Sequence, residues 1–230
     1  MLFTNRSYKK EFLDAENIPQ QDLFRNLFEL DIINNLLGGH SVTIKGLKKL
    51  FLKKEVSYTI VDIGSGGGDT LKAIAKWGRS KGYSFKLIGV DLKKDCIEYA
   101  TKACKAYPEI SFVLDDYRNL TYKNMEIDII NTSLFCHHLN NDEIAILFSW
   151  AAKNAKVGFV LNDLHRHWLA YHSISFLTAL FSKSYLVKND AKLSVIRGFG
   201  KAELAKLLPD NIKYSLNWVW AFRWLLVITK

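Results

Sequence analysis

Two acidic residues flank a glycine-rich segment of the chain, at a spacing that could hold a charged ligand. Asp62 precedes this segment and Asp69 follows it, and glycines stand at alternate positions between them: Gly64, Gly66 and Gly68. The residues before the segment are mostly β-branched, and a helical pattern begins directly behind it. Glycine allows a backbone turn with φ > 0 and lets a ligand lie directly on the backbone. A strand, a tight turn and a helix in this order predict a site for a nucleotide-like ligand.

The two carboxylates indicate which nucleotide-like ligand would fit. A pyrophosphate is attracted to a helix N-terminus, but it would be repelled by acids at Asp62 and Asp69. Asp69 also stands where a dinucleotide-binding turn has its third glycine. A ligand that carries an ammonium and a sulfonium group suits two acids. The segment therefore predicts S-adenosylmethionine (SAM) as the ligand.

Four motifs in chain order resemble those of the class I SAM-dependent methyltransferases. The first is the acid and glycine motif at 62–68. The second, L-I-G-V-D at 87–91, resembles the second strand, and S-F-V-L-D-D-Y at 111–117 resembles the third. The last, I-D-I-I-N-T-S-L-F-C-H-H-L at 127–139, is similar to the fourth strand and the loop that faces the methyl donor. The resemblance covers residues 55–163 well and the remainder more loosely.

This resemblance implies a set of cofactor-binding residues spread over the four motifs. Asp91 would bind the ribose hydroxyls, and Asp116 with Tyr117 the adenine side. The glycine turn with Asp62 would hold the methionine portion. The full implied set is Asp62, Gly64, Ser65, Gly66, Gly68, Asp69, Asp91, Leu92, Asp116, Tyr117 and Asn131.

Histidines follow the fourth and fifth predicted strands, at the edge of the sheet where an acceptor should lie. A histidine can take a proton from a phenol or enol near neutral pH. His137 and His138 lie in the first of these loops, and His165 with Arg166 in the second. Arg166 could hold a carboxylate or phenolate, or could belong to a salt-bridged helix start. The sequence leaves open which histidine acts as a base and whether some of them only pack.

The segment at 161–171, together with Ser194–Phe199, resembles a subgroup of small stand-alone methyltransferases. That subgroup is associated with polyketide, phenolic-lipid or quinone-type biosynthesis in secondary metabolism. The resemblance implies a small hydrophobic acceptor, aromatic or lipid-like and phenolic or quinone-like, with O-methylation favoured over C-methylation. An RNA or protein methyltransferase and a catalytically silent SAM-binding subunit are the alternatives.

Composition restricts the partners and the compartment. The chain of 230 residues carries a formal net charge of +9, but its lysines occur in pairs on four segments. Such a distribution makes nucleic acid an unlikely partner.

Three cysteines without C-x-x-C spacing predict a reducing, cytoplasmic location. We expect neither a signal peptide nor a transmembrane segment. No metal is expected, because the H-x-H spacing of His165 and His167 does not share a helix face. The oligomeric state is not predicted.

The order of the predicted elements indicates an α/β fold. We expect a Rossmann-like seven-stranded, mostly parallel sheet with helices on both faces, an antiparallel last strand and an N-terminal helical cap. The expected organisation is one domain over 1–230, with the cap at 1–55, the SAM-binding core at 56–163 and a substrate-side helix with the C-terminal strands at 164–230. Helices are predicted at 19–37, 44–54, 165–181 and 201–208, with a polar loop between the last two. Asn34 and the turn at 38–41 could face the pocket or only cap the sheet.

Overall fold

The computed structural model describes residues 3–119 and 126–230. Its strands are β1 (Ser57–Ile63), β2 (Ser84–Asp91), β3 (Ile110–Leu114), β4 (Ile127–Ser133), β5 (Ala155–Leu164), β6 (Tyr214–Val219) and β7 (Arg223–Thr229). Its α-helices are α1 (Gln20–Leu36), α2 (Gly39–Lys48), α3 (Asp69–Lys81), α4 (Lys94–Ala103), α5 (Asn141–Asn154), α6 (Trp168–Phe181), α7 (Tyr185–Arg197) and α8 (Lys201–Lys206).

The strands form one sheet in the order β3-β2-β1-β4-β5-β7-β6. Strands β1 to β5 pair in parallel, whereas β7 runs antiparallel to both β5 and β6. Parallel strands need helical crossovers between them, and helices α3, α4 and α5 supply these. The predicted seven-stranded α/β sheet with an antiparallel last strand is confirmed.

Neighbouring residues of the central strands belong to two separate hydrophobic cores, one on each face of the sheet. Ile60 of β1 belongs to the core that contains Leu71 and Ile74 of α3. The next residue, Val61, belongs to the core that contains Leu147 of α5. Side chains alternate along a strand, so a strand that is covered on both faces needs a continuous apolar run. This explains why β1 and β4 are rich in isoleucine and valine.

The second N-terminal helix differs from the prediction at both ends. Helix α1 lies where it is predicted, but α2 covers Gly39–Lys48, whereas the prediction placed it at 44–54. Gly38 alone ends α1, with φ of +71°. A side chain at Gly39 would meet Asn34 at 2.7 Å and Arg223 at 2.8 Å. Gly39 therefore serves close packing at the start of α2.

The polar loop predicted before residue 201 is wrong, because α7 occupies most of it. The Ser184 side chain accepts a hydrogen bond from the Val187 backbone N–H and begins the helix. Leu186, Leu193 and Ile196 are buried. The polar side chains between them concealed this apolar stripe in the sequence.

The connection between β6 and β7 is a turn of three residues, Trp220–Phe222. The sequence has no glycine, proline or asparagine there, the residues that usually mark such a turn. Phe222 itself adopts the left-handed conformation, with φ of +50°. Of the helices in the described ranges, none combines the length and the apolar character that crossing a membrane requires.

Candidate active site

A cavity of about 410 Å³ opens at the carboxyl ends of β1, β2 and β4, a volume typical of ligand pockets. Most of the residues that the sequence assigns to the cofactor lie in its wall: Asp62, Gly64, Ser65, Gly66, Asp69, Asp91, Leu92, Asp116 and Tyr117. Gly68 and Asn131 do not line the cavity and lie just behind that wall. The residues come from four separate motifs, which the parallel sheet brings together.

The glycine turn depends on glycine at each of its alternate positions. Gly64, Gly66 and Gly68 have φ values of +69°, +50° and +74°. A Cβ atom at Gly64 would lie 2.2 Å from the Phe135 ring. A Cβ atom at Gly66 would meet only Leu27, at 3.9 Å, so the space above this backbone is open to a ligand.

Asp91 is fixed at the cavity by two backbone donors. Its Oδ2 accepts from the Gly66 N–H at 2.8 Å, and its Oδ1 accepts from the Lys93 N–H at 2.9 Å. Each oxygen keeps a further lone pair for a ligand. Burial raises the pKa of Asp91.

Asp62 is buried between the glycine turn and β4. Asn131 Nδ2 donates to Asp62 Oδ1 at 2.7 Å, so the side chain of Asn131 on β4 holds the Asp62 carboxyl group in position. Burial raises the pKa of Asp62 to about 8, and the charges of Asp69 and Asp91 act in the same direction. The Asp62 carboxyl group is therefore largely protonated at pH 7 until a cation approaches it.

The adenine side of the predicted site contains an acid that the sequence analysis missed. Asp115 lines the cavity together with Asp116. Arg118 forms an ion pair with Asp116, and its hydrogen bonds lower the pKa of that carboxyl group. Tyr117 packs edge-to-face against Trp150, with 5.2 Å between the ring centroids. The paired aspartates in the D-D-Y motif were the signal for two candidate acids.

Helix α1 covers the cavity. Leu27, Leu30 and Asn34 line it, and Asn34 Nδ2 donates to Asp69 Oδ2 at 3.2 Å. Of the two alternatives for Asn34, the structure supports the one in which it faces the pocket.

His138 and Asp14 form a pair in the cavity wall. His138 Nδ1 lies 2.7 Å from Asp14 Oδ1. Burial alone would raise the pKa of Asp14, but the hydrogen bonds from His138 and Arg197 outweigh it and lower that pKa. When Nδ1 carries the ring proton and donates a hydrogen bond to Asp14, Nε2 keeps a free lone pair. The pair thus presents a histidine that can accept a proton.

His137 lies deeper and does not line the cavity. Its Nδ1 lies 2.7 Å from Asp163 Oδ1. Burial alone would raise the pKa of Asp163, but the charge and hydrogen bond of His137 outweigh it and lower that pKa. Because its Nδ1 is engaged in this way, Nε2 is the nitrogen left for other contacts.

A buried glutamate, Glu11, lies against both histidines. Its carboxylate oxygens lie 3.8 Å from His137 Nε2 and 4.0 Å from His138 Nε2. Ser194 Oγ donates to Glu11 at 2.9 Å. Burial raises the pKa of Glu11 to about 7, although His138 and Arg197 oppose this shift. Glu11 is therefore a buried acid within 4.0 Å of both imidazole rings.

Two groups of metal-ligating side chains occur among the described residues. One contains Glu11, His137 and His138, and the other contains Asp31, His40 and Asp69. In each group the ligand atoms lie within 4.8 Å of one another. Each group draws on separate segments of the chain, so the spacing of neighbouring histidines in the sequence does not indicate either of them.

The structure does not bring His165 and Arg166 to the cavity wall. His165 Nδ1 accepts from Trp218 Nε1 at 3.2 Å, and burial lowers its pKa. Arg166 is buried and donates to the Gly198 carbonyl at 2.7 Å and to Glu203 at 2.7 Å. The ion-pair partner of Arg166 is Glu203 of α8.

Residues 60–158 match the family model described as a methyltransferase domain, Methyltransf_25. The matched segment contains the glycine turn, Asp91, Asp116 and His138, although it is less than half of the chain. Over this segment the chain is similar to methyltransferase domains. No curated protein sequence matches the chain.

Several solved methyltransferase structures are similar to this one. The plantazolicin methyltransferase BpumL in complex with SAH has a TM-score of 0.63 at 15% identity, over 92% of this chain and 95% of that chain. A SAM-dependent methyltransferase from Aquifex aeolicus has a TM-score of 0.60 at 15% identity, over 92% and 98%. The CMeT domain of the citrinin polyketide synthase has a TM-score of 0.51 at 12% identity, over 75% and 46%. At these identities the similarity shows a shared fold.

The similar BpumL structure holds SAH, and the donor side of the cavity in this protein has features that suit SAM. The Ser65 hydroxyl is buried and has no hydrogen-bond partner among the described residues. The backbone at Gly66 is open, and the carboxyl groups of Asp62, Asp69 and Asp91 converge on the same space. Open backbone, an unpaired hydroxyl and convergent acids suit a polar, cationic ligand.

Proposed function

We propose that this protein transfers a methyl group from SAM to a small, hydrophobic acceptor that is phenolic or quinone-like, and that O-methylation is favoured over C-methylation. The observation that carries the proposal is the position of His138 in the cavity wall, with its Nδ1 held by Asp14. A base at this position suits the removal of a phenol proton. Similar structures of natural-product methyltransferases add support for a small-molecule acceptor.

The donor residues have distinct proposed roles. Bound SAM supplies an electrophilic methyl group on a sulfonium. Asp91 binds the ribose hydroxyls through its free lone pairs, and Asp116 with Tyr117 holds the adenine side. Asp62, Asp69 and the glycine turn hold the methionine portion, where the ammonium favours an ionised Asp62. Asn131 keeps Asp62 in position.

The acceptor residues act on the proton and on the orientation of the acceptor. His138 Nε2 accepts the proton from the acceptor hydroxyl, and Asp14 stabilises the imidazolium that results. Glu11 lies 4.0 Å from His138 Nε2, close enough to favour that positive charge. The apolar side chains of Leu13, Leu30 and Leu139 also line the cavity. They suit an aromatic acceptor and exclude water from the methyl group.

The other candidate catalytic residues, His137, Arg166 and His165, have supporting roles in this proposal. His137 positions Glu11 and is itself held by Asp163. Arg166 fixes the N-terminal segment, because it donates to the carbonyls of Phe3 and Thr4. His165 packs beside Trp224 and does not contact the acceptor.

We also propose that residues 1–230 work as one unit. Asp14 belongs to the N-terminal segment, His138 to the matched domain and Arg197 to the C-terminal part. Asp14 accepts a hydrogen bond from Arg197 and lies against His138. One side of the cavity therefore depends on all three parts of the chain.

The test is donor turnover against a panel of phenols, resorcinols and quinols, with product mass and regiochemistry as the readout. We expect turnover with at least one phenol and methylation on oxygen. A product methylated on carbon would correct the regiochemistry, since the same site serves both. SAM binding by calorimetry without any turnover would instead indicate a silent subunit. Methyl transfer to RNA or protein alone would overturn the proposal.

A further inference from the structure

We propose that an apolar face formed by α1, α6 and the turn after β6 docks onto an anionic lipid bilayer. This inference deepens the proposed function and rests on it for its purpose, because docking onto a bilayer would bring the enzyme to a lipid-like acceptor. The evidence for docking itself comes from exposed side chains and from charge.

Helix α6 exposes apolar side chains where a surface helix normally carries charge. Trp168, Phe176, Leu180 and Phe181 are 56%, 64%, 60% and 77% exposed. None of the residues of α6 is Asp, Glu, Lys or Arg. Its buried residues are the small Ala170 and Thr178. A helix in water turns its polar face outward, so the outward face of α6 is built for an apolar surrounding.

Helix α1 exposes a matching stripe. Phe28, Ile32 and Leu36 are spaced by four residues and are 57%, 42% and 79% exposed. Residues at this spacing share one face of a helix. Glu29 accepts from the Ser184 N–H at 3.2 Å, which places the C-terminal end of α6 beside α1.

The turn after β6 connects the other ends of the two helices. Leu36 and Trp220 line the same surface depression. Trp220 lies 5.5 Å from Phe222, and Phe222 lies 5.2 Å from His167, the residue before α6. The exposed residues of α1 and α6 and this turn therefore form one continuous surface, which we call the docking face.

Charge favours an anionic bilayer over a second copy of the chain as the partner. Two chains with a formal net charge of +9 each repel one another, whereas anionic lipid attracts both. Lys183 follows α6 directly and is exposed, and the exposed Lys45 lines the depression beside Trp220. Tryptophan side chains such as Trp168 and Trp220 also suit the boundary between lipid and water.

The length of α6 indicates how it would lie. Its 14 residues span about 21 Å, less than the roughly 30 Å of a bilayer core. The helix would rest in the plane of the bilayer surface. Leu27 and Leu30 of α1 line the cavity, so this helix carries part of the docking face on its outer side and part of the cavity wall on its inner side.

The test is co-sedimentation with vesicles of phosphatidylglycerol and phosphatidylcholine, compared with phosphatidylcholine alone. We expect the full chain to bind the anionic vesicles and to bind less at high salt. The double variant Phe176→Ser/Phe181→Ser should bind at least about tenfold more weakly. The control Ile146→Ser removes a side chain that is 51% exposed on α5, and it should bind like the unchanged protein.

Three results would overturn the docking face. The first is that the unchanged protein does not sediment with anionic vesicles. The second is that the double variant sediments with them as well as the control does. The third is that sedimentation velocity shows a dimer of the unchanged protein, that the double variant is monomeric, and that neither protein binds vesicles. Turnover of a water-soluble phenol should be equal in all three proteins, which verifies their folding. Vesicle binding without turnover of any phenol would refute the proposed function and leave the docking face intact.

Discussion

The two sides of the cavity are built in different ways. On the donor side, Asp62 and Asp91 lie at the carboxyl ends of β1 and β2, and the backbone N–H groups of Gly66 and Lys93 hold Asp91. On the histidine side, the partners are distant in sequence, since Asp14 and His138 are 124 residues apart. Among the described residues Asp62 and Asp91 form no ion pair, whereas Asp14 and Asp163 are paired with histidines. The donor side is prepared for a cation, and the histidine side is prepared for a proton.

Replacement of the base should give the largest effect. We expect His138→Gln to lower kcat by about 100- to 10,000-fold, because glutamine cannot accept the acceptor proton. SAM affinity should stay unchanged, since the donor acids are intact. Single-turnover kinetics with the best phenol, together with calorimetry, separates the two quantities. An equal loss of SAM affinity would mean that the two sides of the cavity do not work independently.

Replacement of the group that orients His138 should have a smaller effect. Asp14→Asn removes the negative charge that stabilises the imidazolium, so kcat should fall by about 10- to 100-fold. The pH at which the rate is half-maximal should also move down, because the histidine loses its anionic partner. A pH–rate profile measures both effects. Asp142→Asn replaces an exposed acid on α5 and serves as the control. An unchanged profile for Asp14→Asn would contradict its role.

The donor side should release a proton when it binds SAM. The pKa of Asp62 is about 8 in the free protein, and a cationic ligand would lower it. At pH 7 the proton therefore leaves on binding, and SAM affinity should rise by up to about tenfold from pH 6 to pH 7. Calorimetry in two buffers with different ionisation enthalpies counts the proton. Asp62→Asn should show no release from this site, and release that persists in this variant would assign the proton to another group.

A chelator should have the smallest effect. Arg197 lies 3.8 Å from Glu11 and pairs with Asp14, and Arg6 donates to the nearby His137 carbonyl. This cluster does not need an ion to balance its charge. We expect kcat to be unchanged after dialysis against EDTA. Loss of activity that zinc restores would show that Glu11, His137 and His138 hold a metal.

The difference between the donor side and the histidine side explains how much of the structure could be predicted from the sequence. The strand order and most of the cofactor wall follow from local motifs, in which spacing alone brings Asp62 and Gly64 to the end of β1. Glu11 and Asp14 carry no local signal, because their partners lie in the loop after β4. Helix α7 was missed because its buried leucines stand among lysines and asparagine. The left-handed Phe222 was missed because such a turn normally uses glycine.

The central claim is that the donor side binds SAM through Asp91. Its most direct test is a calorimetric titration of SAM into the unchanged protein and into Asp91→Ala, with Asp142→Ala as the control. Asp91→Ala loses the hydrogen bonds that the carboxylate accepts from the ribose hydroxyls, so binding should weaken by about 100-fold, and the control should bind normally. Equal affinity in all three proteins, or no binding of SAM to the unchanged protein, would contradict the claim.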